Sequence, residues 1–317
     1  MNAKHKSIVA SAPSSTANLG PGFDVFGLAL NAFYDKVELE ITETRSLQIE
    51  VDGEYGNTIP LQPEANSAGL AISKMREEYN VADGLKVKVH KEVPAGFGLG
   101  SSAASAAAAV KAFDALYGLN LDNNSLVKFA AMGEVASAGS MHYDNVSASL
   151  MGGFVIVRTN PLNVVSIEPP KDLTLCIAIP KMDVPKKKTE VARSVLPENV
   201  SLKHVVSNVA NAGIIVAGFM RKDVDLITSA INDVIVEPAR AHLIPGYDEV
   251  KKNALNAGAL AVTISGAGPS MIAFMKEGKQ DQKKICKAME DGFRSANIQC
   301  KTLHCSTSEG ATVLQSN

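Results

Sequence analysis

Apolar and polar positions alternate along several short segments of the first half of the chain. The clearest segment reads Leu-Lys-Val-Lys-Val-His, which has the two-residue period of a half-buried strand. Together with other strand-like runs, this pattern predicts four strands, at 7–12, 36–41, 85–90 and 152–157. Two helical patterns separate the last two strands: 101–116, closed by Gly118, and 125–139, with Ser125 as its N-cap.

The second half of the chain continues the mixture of helices and strands after a proline-containing stretch at 160–171. This stretch is the best candidate for a boundary, so we predict domains at 1–165 and 166–317. The elements predicted beyond it are a strand at 173–179, helices at 203–220 and 247–256, a strand–turn–strand at 259–275, a helix at 280–295 and a last strand. Elements in this order predict an α+β fold rather than a doubly wound sheet.

The composition limits the class of protein. A chain of 317 residues exceeds what one hydrophobic core usually serves, so two domains are expected. A hydrophobic content of 46% is ordinary for a globular protein, and a net charge of −2 gives no reason to expect a nucleic-acid partner. The N-terminus has no signal-peptide block, and no uncharged apolar run approaches the ~20 residues of a membrane helix. We therefore expect a cytoplasmic protein without a membrane partner.

The four cysteines are Cys176, Cys286, Cys300 and Cys305, and they form no C-x-x-C pair. Closely spaced pairs are the usual sign of metal or redox work by cysteines. In a chain of this length we expect reduced thiols that pack in the interior.

The segment 94–102, Pro-Ala-Gly-Phe-Gly-Leu-Gly-Ser-Ser, lies between the alternating strand and the first long helix. Main-chain N–H groups and the helix dipole favour an anion at such a position, and glycines let a phosphate approach closely. No acidic residue occurs from Ser101 to Phe113, so the positive end of the helix is left for an external anion. On these grounds alone a purely structural turn is an equal alternative. The segment is not a Walker A motif, because no lysine follows its last glycine.

The pattern P-x-G-x-G-L-G-S-S-A resembles the signature of the GHMP kinase superfamily, which includes galacto-, homoserine, mevalonate and phosphomevalonate kinases. The resemblance implies a two-domain α+β fold, with a ribosomal-protein-S5-like N-terminal domain and a ferredoxin-like C-terminal domain. It also implies that the loop wraps the phosphates of ATP, with Asn66 near the adenine. The ATP-binding residues implied in this way are Asn66, Pro94, Ala95, Gly96, Phe97, Gly98, Leu99, Gly100, Ser101, Ser102, Ala103 and Ala104.

Glu134 stands on the second long helix among small residues, with no cation three or four positions away. A crowded carboxylate without a partner is costly unless another cation arrives. The alternative is an ordinary exposed glutamate. In the superfamily Mg²⁺ lies between this carboxylate, the second serine of the loop and ATP, so the resemblance implies Ser102 and Glu134 as metal-binding residues.

Asn18 and Asp24 lie in a loop rich in glycine and proline, where a simple Asx turn would also suit both residue types. The Gly-Phe-Asp ending of this loop resembles the homoserine kinase version of the superfamily's first motif. The resemblance implies that Asp24 holds a substrate ammonium and that Asn18 fixes its orientation. Most relatives carry Lys or Arg at the position of Thr16, which is a departure from the pattern.

Further segments resemble homoserine kinase patterns at 133–146, 188–193 and 236–245, and 265–270 matches the third superfamily motif, whose alternative is a plain hairpin turn. A guanidinium fork suits the planar carboxylate of an amino acid, so Arg193 and Arg240 are assigned to it. A lone His or Arg is otherwise more often structural or solvated. The substrate-binding residues implied are Asn18, Asp24, His142, Asn145, Arg193, Arg240 and Gly266.

The implied reaction is transfer of the γ-phosphate of ATP to the side-chain hydroxyl of L-homoserine, a step toward threonine, with ATP and Mg²⁺ required. Asn145 and Thr189 are assigned to positioning the hydroxyl. No residue stands out as a general base, which a loose phosphoryl-transfer transition state tolerates. The resemblance also implies a homodimer.

Three alternatives stay open. A sugar or mevalonate kinase of the same superfamily would leave Asp24 without an ammonium. A non-catalytic member that binds a ligand as a regulator is disfavoured by the intact Ser102 and Glu134. Nucleic-acid binding, suggested by the ribosomal-protein-like fold, is disfavoured by the near-neutral charge.

Overall fold

The computed structural model describes residues 3–185 and 188–317, which contain eleven strands and ten α-helices. The strands are β1 Ser7–Ala17, β2 Phe26–Thr42, β3 Leu47–Asp52, β4 Gly84–His90, β5 Phe154–Thr159, β6 Leu162–Ile167, β7 Leu173–Pro180, β8 Ala261–Ile264, β9 Met271–Lys276, β10 Cys300–Ser306 and β11 Thr312–Ser316. The helices are α1 Ser67–Glu78, α2 Ser101–Tyr117, α3 Asn123–Ala138, α4 Tyr143–Met151, α5 Lys188–Ser194, α6 Leu202–Arg221, α7 Val224–Ser229, α8 Val236–Arg240, α9 Tyr247–Asn256 and α10 Gln282–Ser295.

The first sheet has seven strands in the order β11-β1-β2-β4-β3, with β5 joined to β2 and β6 joined to β5. β3 pairs in parallel with β4, and the other pairs are antiparallel. The strand that comes last in the sequence, β11, pairs with β1 at one edge of this sheet, and Ile8 lies opposite Ser316. The division into 1–165 and 166–317 therefore separates β11 from the sheet in which it lies. An edge strand can accept a partner from anywhere in the chain, and order along the sequence does not reveal which.

The second sheet has four antiparallel strands in the order β10-β7-β9-β8. Helices α9 and α10 pack on it, with Val250, Ile285, Met289 and Phe293 fully buried against its strands. Strands and helices alternate without forming a parallel doubly wound sheet, so the α+β prediction is confirmed.

Helix α2 lies between the first sheet and helices α1, α3 and α4, and its alanines allow close approach of all of them. On α3, a Cβ added to Gly133 would lie 2.4 Å from the carbonyl oxygen of Ser67 in α1 and 3.3 Å from the Cβ of Ala106 in α2. Glu134 follows this glycine, so the tight packing places its carboxylate beside the start of α2.

The bounds of α2 follow the prediction, and Gly118 ends it with a left-handed φ of 60°. The N-cap predicted for α3 is wrong. Asp122 is the N-cap, and its carboxylate accepts the N–H of Ser125 at 2.9 Å. Asp and Ser cap helices about equally well, so the pattern did not distinguish them. The stretch 160–171, predicted as a domain boundary, contains β6 in its middle half, and β6 forms a hairpin with β5.

Cysteines 176 and 286 depart from the prediction of reduced thiols, because the structure joins Cys176 of β7 to Cys286 of α10 by a disulfide. Their Cα atoms lie 5.8 Å apart, although 110 residues separate them in the sequence. Packing of α10 on the second sheet brings them together. Cys300 and Cys305 are free, and Cys305 is buried as predicted.

Helix α6 has 20 residues and a mean hydropathy of 1.2 over its most apolar 18-residue window, so by length and composition it could cross a membrane. Only 17% of that window is buried in the protein. One such helix is weak evidence, because helices of soluble proteins pass the same test.

Candidate active site

A cavity of about 290 Å³ lies where the glycine-rich loop of the first domain meets α5, α8 and the turn between β8 and β9. The loop and the first turn of α2 form one wall of the cavity. The polar residues assigned above to binding of the amino-acid substrate form the opposite wall. The predicted site residues that line the cavity are Asn18, Asp24, Asn66, Ala95, Gly96, Gly98, Gly100, Ser101, Ser102, Glu134, His142, Asn145, Thr189, Arg193, Arg240 and Gly266.

The glycine-rich loop needs glycine at two of its positions. Gly98 has a φ of 78°, and a Cβ there would lie 2.1 Å from the Ser265 carbonyl oxygen. Gly100 has a φ of 66° and is the N-cap of α2, where a Cβ would lie 2.1 Å from Ser15 Oγ. No side chain caps α2, and its first turn contains no acid, so its N–H groups face the cavity without a negative charge of their own.

Five of the predicted ATP-binding residues do not line the cavity. Leu99 and Ala104 are buried in the core beside β7, and Ala103 is buried beside the first sheet. Phe97 packs against that second core, and Pro94 is buried. Only the main chain of this part of the loop is available to a ligand.

Glu134 is 5% exposed, and its Oε1 has no hydrogen-bond partner in the described part of the chain. Burial raises the pKa of this carboxyl to about 7, and a hydrogen bond from Ser102 offsets part of the rise. A buried oxygen without a donor fits a hard cation, and a carboxylate with a neighbouring hydroxyl is an oxygen donor set suited to Mg²⁺. No cluster of three or more His, Cys, Asp or Glu suited to a metal occurs in 3–185 and 188–317.

Asp24 and Arg193 form an ion pair across the cavity. Both carboxylate oxygens of Asp24 accept hydrogen bonds from the Arg193 Nη2, at 2.8 and 2.7 Å. The same nitrogen lies 3.0 Å from His142 Nδ1. Burial and Arg193 lower the pKa of His142, so the ring is neutral and accepts from the arginine. The group predicted for an ammonium and a group predicted for a carboxylate are thus partners of each other.

Arg240 is 4% exposed, and its guanidinium forms hydrogen bonds with carbonyl groups only. Its Nε donates to Ala192 O at 2.9 Å and its Nη1 to Gly266 O at 3.3 Å. The ring of Phe23 lies under both arginines, 5.1 Å from the Arg240 Cζ and 5.3 Å from the Arg193 Cζ. A buried guanidinium without a carboxylate partner is suited to an external anion.

Asn18 connects the two sides of this pocket through its side-chain amide. Its Oδ1 accepts the N–H of Asp24 at 3.1 Å, and its Nδ2 donates to Gly266 O at 2.9 Å. Both ends of the amide are therefore occupied in holding the loop that carries Asp24. Asn66 is similarly occupied, because it caps α1 through the N–H of Gly69 and donates to Pro60 O.

Asn145 lies in the first turn of α4, and its Oδ1 accepts from Ser15 Oγ at 3.1 Å. The preceding residue, Asp144, is 5% exposed, and burial followed by the charge of Asp24 raises its pKa to about 6. Thr189 lies on the opposite wall, beside Lys188 in α5.

Sequence reasoning gave no site role to five charged or aromatic residues of the cavity region: Phe23, Asp35, Lys91, Asp144 and Lys188. All of them except Asp35 line the cavity. Burial and Arg240 lower the pKa of Lys188 to about 7, and its Nζ donates to Gly268 O. Lys91 and Asp35 form a fully buried ion pair beneath α2. Phe23 and Asp144 stood inside matched motifs, which was a usable signal. The pairing of Asp35 with Lys91 left no signal in the sequence, because 56 residues separate the two.

Comparison with known proteins identifies the family. Models described as the GHMP kinases N terminal domain and GHMP kinases C terminal match residues 66–153 and 215–294. A homoserine kinase of Thermoplasma volcanium is 41% identical over 289 residues, which is 90% of this chain and 91% of that protein. One from Saccharolobus islandicus is 38% identical over 309 residues, covering 97% and 98%.

Solved structures give the same result. The crystal structure of homoserine kinase from Cytophaga hutchinsonii superposes with a TM-score of 0.90 at 37% identity and covers 99% of both chains. A mevalonate diphosphate decarboxylase from Staphylococcus aureus, with a TM-score of 0.69 at 15% identity, shares the fold alone. The glycine-rich loop, the two matched domains and these similarities together show that the chain belongs to the homoserine kinase family of the GHMP kinases.

Proposed function

We propose that this protein is a homoserine kinase, which transfers the γ-phosphate of ATP to the side-chain hydroxyl of L-homoserine and yields O-phospho-L-homoserine for threonine biosynthesis. The observation that carries the proposal is one cavity in which a phosphate loop faces an acid and two arginines. An amino acid offers one ammonium and one carboxylate, whereas a sugar offers neither and mevalonate offers only the carboxylate. The similar homoserine kinases support the same acceptor.

Binding of the amino acid exchanges the existing ion pair. The substrate ammonium replaces Arg193 at the Asp24 carboxylate, and the substrate carboxylate replaces Asp24 at Arg193 and joins Arg240. His142 accepts a hydrogen bond from Arg193 on the side away from Asp24. The hydrogen bond from Asn18 to Gly266 joins the loop that carries Asp24 to the turn between β8 and β9. Asp24 and Arg193 each exchange one partner of opposite charge for another, and Arg240 gains the carboxylate partner that it lacks in the free protein.

The γ-phosphate lies between the loop and the acceptor hydroxyl. The N–H groups of the loop and of the first turn of α2 neutralise its charge, and Ser102 and Glu134 would hold Mg²⁺. When bound, the metal adds positive charge at the phosphate oxygens. Asn145 orients the hydroxyl, and Thr189 and Lys188 line the facing wall. The reaction depends mainly on this positioning, without an assigned general base. The use of ATP agrees with the cytoplasmic location expected from the sequence.

An assay of ADP release by a coupled enzyme tests the acceptor. Homoserine is expected to support turnover at least about tenfold above serine, mevalonate and galactose, because only homoserine combines both charges with a hydroxyl at the right distance. The O-phospho product should be identified by mass spectrometry. Turnover with mevalonate or galactose instead would contradict the proposed acceptor, and binding of ATP without any turnover would favour a regulatory ligand-binding role.

We also propose that the protein is a homodimer in which α6 packs on α6 of a second copy. The exposed face of α6 carries no charge over four turns: it consists of Val206, Val209, Ala210, Gly213, Ile214, Ala217 and Met220. Val209 and Met220 are each 66% exposed. Small residues between the larger ones allow two helices to approach closely, and an uncharged face matches a copy of itself about a two-fold axis.

Changing Val209 to Glu is expected to convert the dimer into a monomer, because the substitution places two like charges close together in an apolar interface. Sedimentation equilibrium of the parent and variant measures the result. The matched control is Val165→Glu, which adds the same charge at a valine that is 48% exposed on β6. A monomeric parent protein, or dissociation by both variants, would contradict the interface.

A further inference from the structure

Lys91 is a charged side chain that the fold buries almost completely, beside the start of α2 and the end of the glycine-rich loop. It follows β4, is 2% exposed and pairs with Asp35 of β2, which is fully buried. Its Nζ also donates to Ser101 O at 2.5 Å and to Ser105 Oγ at 2.9 Å. The ammonium group therefore donates hydrogen bonds to the first turn of α2 and to its second turn.

The Asp35 carboxylate holds the other end of the loop. Its Oδ1 accepts the N–H groups of Glu92 and Val93 at 3.0 and 2.9 Å, and its Oδ2 accepts from Ser105 Oγ at 2.6 Å. These two N–H groups belong to the residues that lead into the loop. The Ser101 hydroxyl adds a bond across its base, to Val93 O at 2.8 Å. One ion pair thus fastens the entry and the exit of the segment 94–100 to the same point of the first sheet.

Stability of the fold is a poor explanation for this pair. Taking two charges out of water costs several kcal/mol, and well-packed apolar residues of the same volume are often as stable or more stable. The pair is surrounded by apolar residues of two cores, so both of its charges are removed from water. Lys91 instead reaches the floor of the cavity together with Ser101, Ser102 and Glu134.

We infer that Lys91 and Asp35 are positioning residues for the nucleotide. Their bonds hold the N–H groups of the loop and the Ser102 hydroxyl in the geometry that the phosphates of ATP require. Neither residue is assigned a contact with the acceptor, so their effect should be confined to the nucleotide side of the cavity. The inference rests on the proposed use of ATP and adds a determinant that no matched motif contains.

The double substitution Lys91→Met with Asp35→Asn tests the inference. Met has nearly the volume of Lys, and Asn keeps an oxygen for the N–H groups of Glu92 and Val93, so folding should survive. The dissociation constant for MgATP, measured by calorimetry, is expected to rise about tenfold or more, as is usual when partners of a site residue are removed. The KM for homoserine should stay within about twofold.

A matched control is Lys86→Met with Glu50→Gln, which removes an exposed ion pair anchored on the same strand β4. This control should bind MgATP like the parent. If the Lys91/Asp35 double variant does not fold, Ser105→Ala removes one bond of the network without removing a charge, and MgATP should then bind about threefold more weakly.

Parent-like MgATP binding by the folded Lys91/Asp35 double variant, or by Ser105→Ala if that variant must stand in, would overturn the inference. Equal weakening toward MgATP and homoserine would also overturn it, since the pair would then support the whole molecule. A parent protein that binds no MgATP would instead refute the proposed function.

Discussion

Replacing Arg240 with Ala is expected to raise the KM for homoserine about a hundredfold and to leave the KM for ATP nearly unchanged. The guanidinium is 4% exposed, lies over Phe23 and has only carbonyl partners within hydrogen-bond distance, so we propose the substrate carboxylate as the anion that it lacks. Removing one member of a buried charge pair costs about 3 kcal/mol, which corresponds to this factor. Initial rates with each substrate varied in turn measure both constants.

Two further variants make the Arg240 result specific. Arg240→Lys keeps the charge but loses the fork, so the KM for homoserine should lie between those of the parent and the alanine variant. Arg294→Ala removes an exposed arginine of α10 and should behave like the parent. Equal increases in both KM values for Arg240→Ala would remove this residue from the amino-acid pocket.

Replacing Glu134 with Gln is expected to lower kcat about a thousandfold and to raise the Mg²⁺ concentration needed for half-maximal rate. The carboxylate is buried, and its Oε1 lacks a donor in the described part of the chain, so it supplies a negative oxygen that an amide cannot replace. The rate as a function of Mg²⁺ concentration, at saturating ATP and homoserine, measures the effect. Glu78→Gln, on an exposed position of α1, is the matched control.

The stability of Glu134→Gln separates a metal-binding role from a structural one. Burial raises the pKa of Glu134 to about 7, so its ionisation at pH 8 opposes folding, and stability decreases as the pH rises through 7. In the absence of Mg²⁺ at pH 8, the variant should therefore melt at the same temperature as the parent or above it. A lower melting temperature together with an unchanged Mg²⁺ requirement would make Glu134 a structural carboxylate.

Much of the nucleotide side could be predicted because its features are local. Positive φ at Gly98 and Gly100, the acid-free first turn of α2 and the ending at Gly118 depend on neighbouring residues, which a sequence displays directly. The α+β class followed for the same reason, from periodicity within single elements. Predictions failed where two nearby residues were equally suited to the same role. The N-cap of α3 is an example, because it was predicted at Ser125 and lies at Asp122.

The amino-acid side shows what local patterns omit. Asp24 and Arg193 were both identified from motifs, but their pairing across 169 residues was not foreseen. In the sequence Lys91 only follows the alternating segment 85–90, whereas the structure buries it against Asp35 and bonds it to the start of α2. A side chain's charge is visible in the sequence, whereas its counter-ion is set by distant segments.

The sequence by itself determined that a glycine-rich loop precedes an alanine-rich helix without acids in its first turn, and that the motifs of the chain belong to one family of kinases. It did so because helix capping, glycine conformation and motif spacing are properties of contiguous residues. Only the tertiary structure decided which charges are paired and which await a ligand, that β11 closes the first sheet, and that one ion pair anchors both ends of the loop. Burial and pairing depend on which distant segments the fold brings together, and that is a property of the packed molecule.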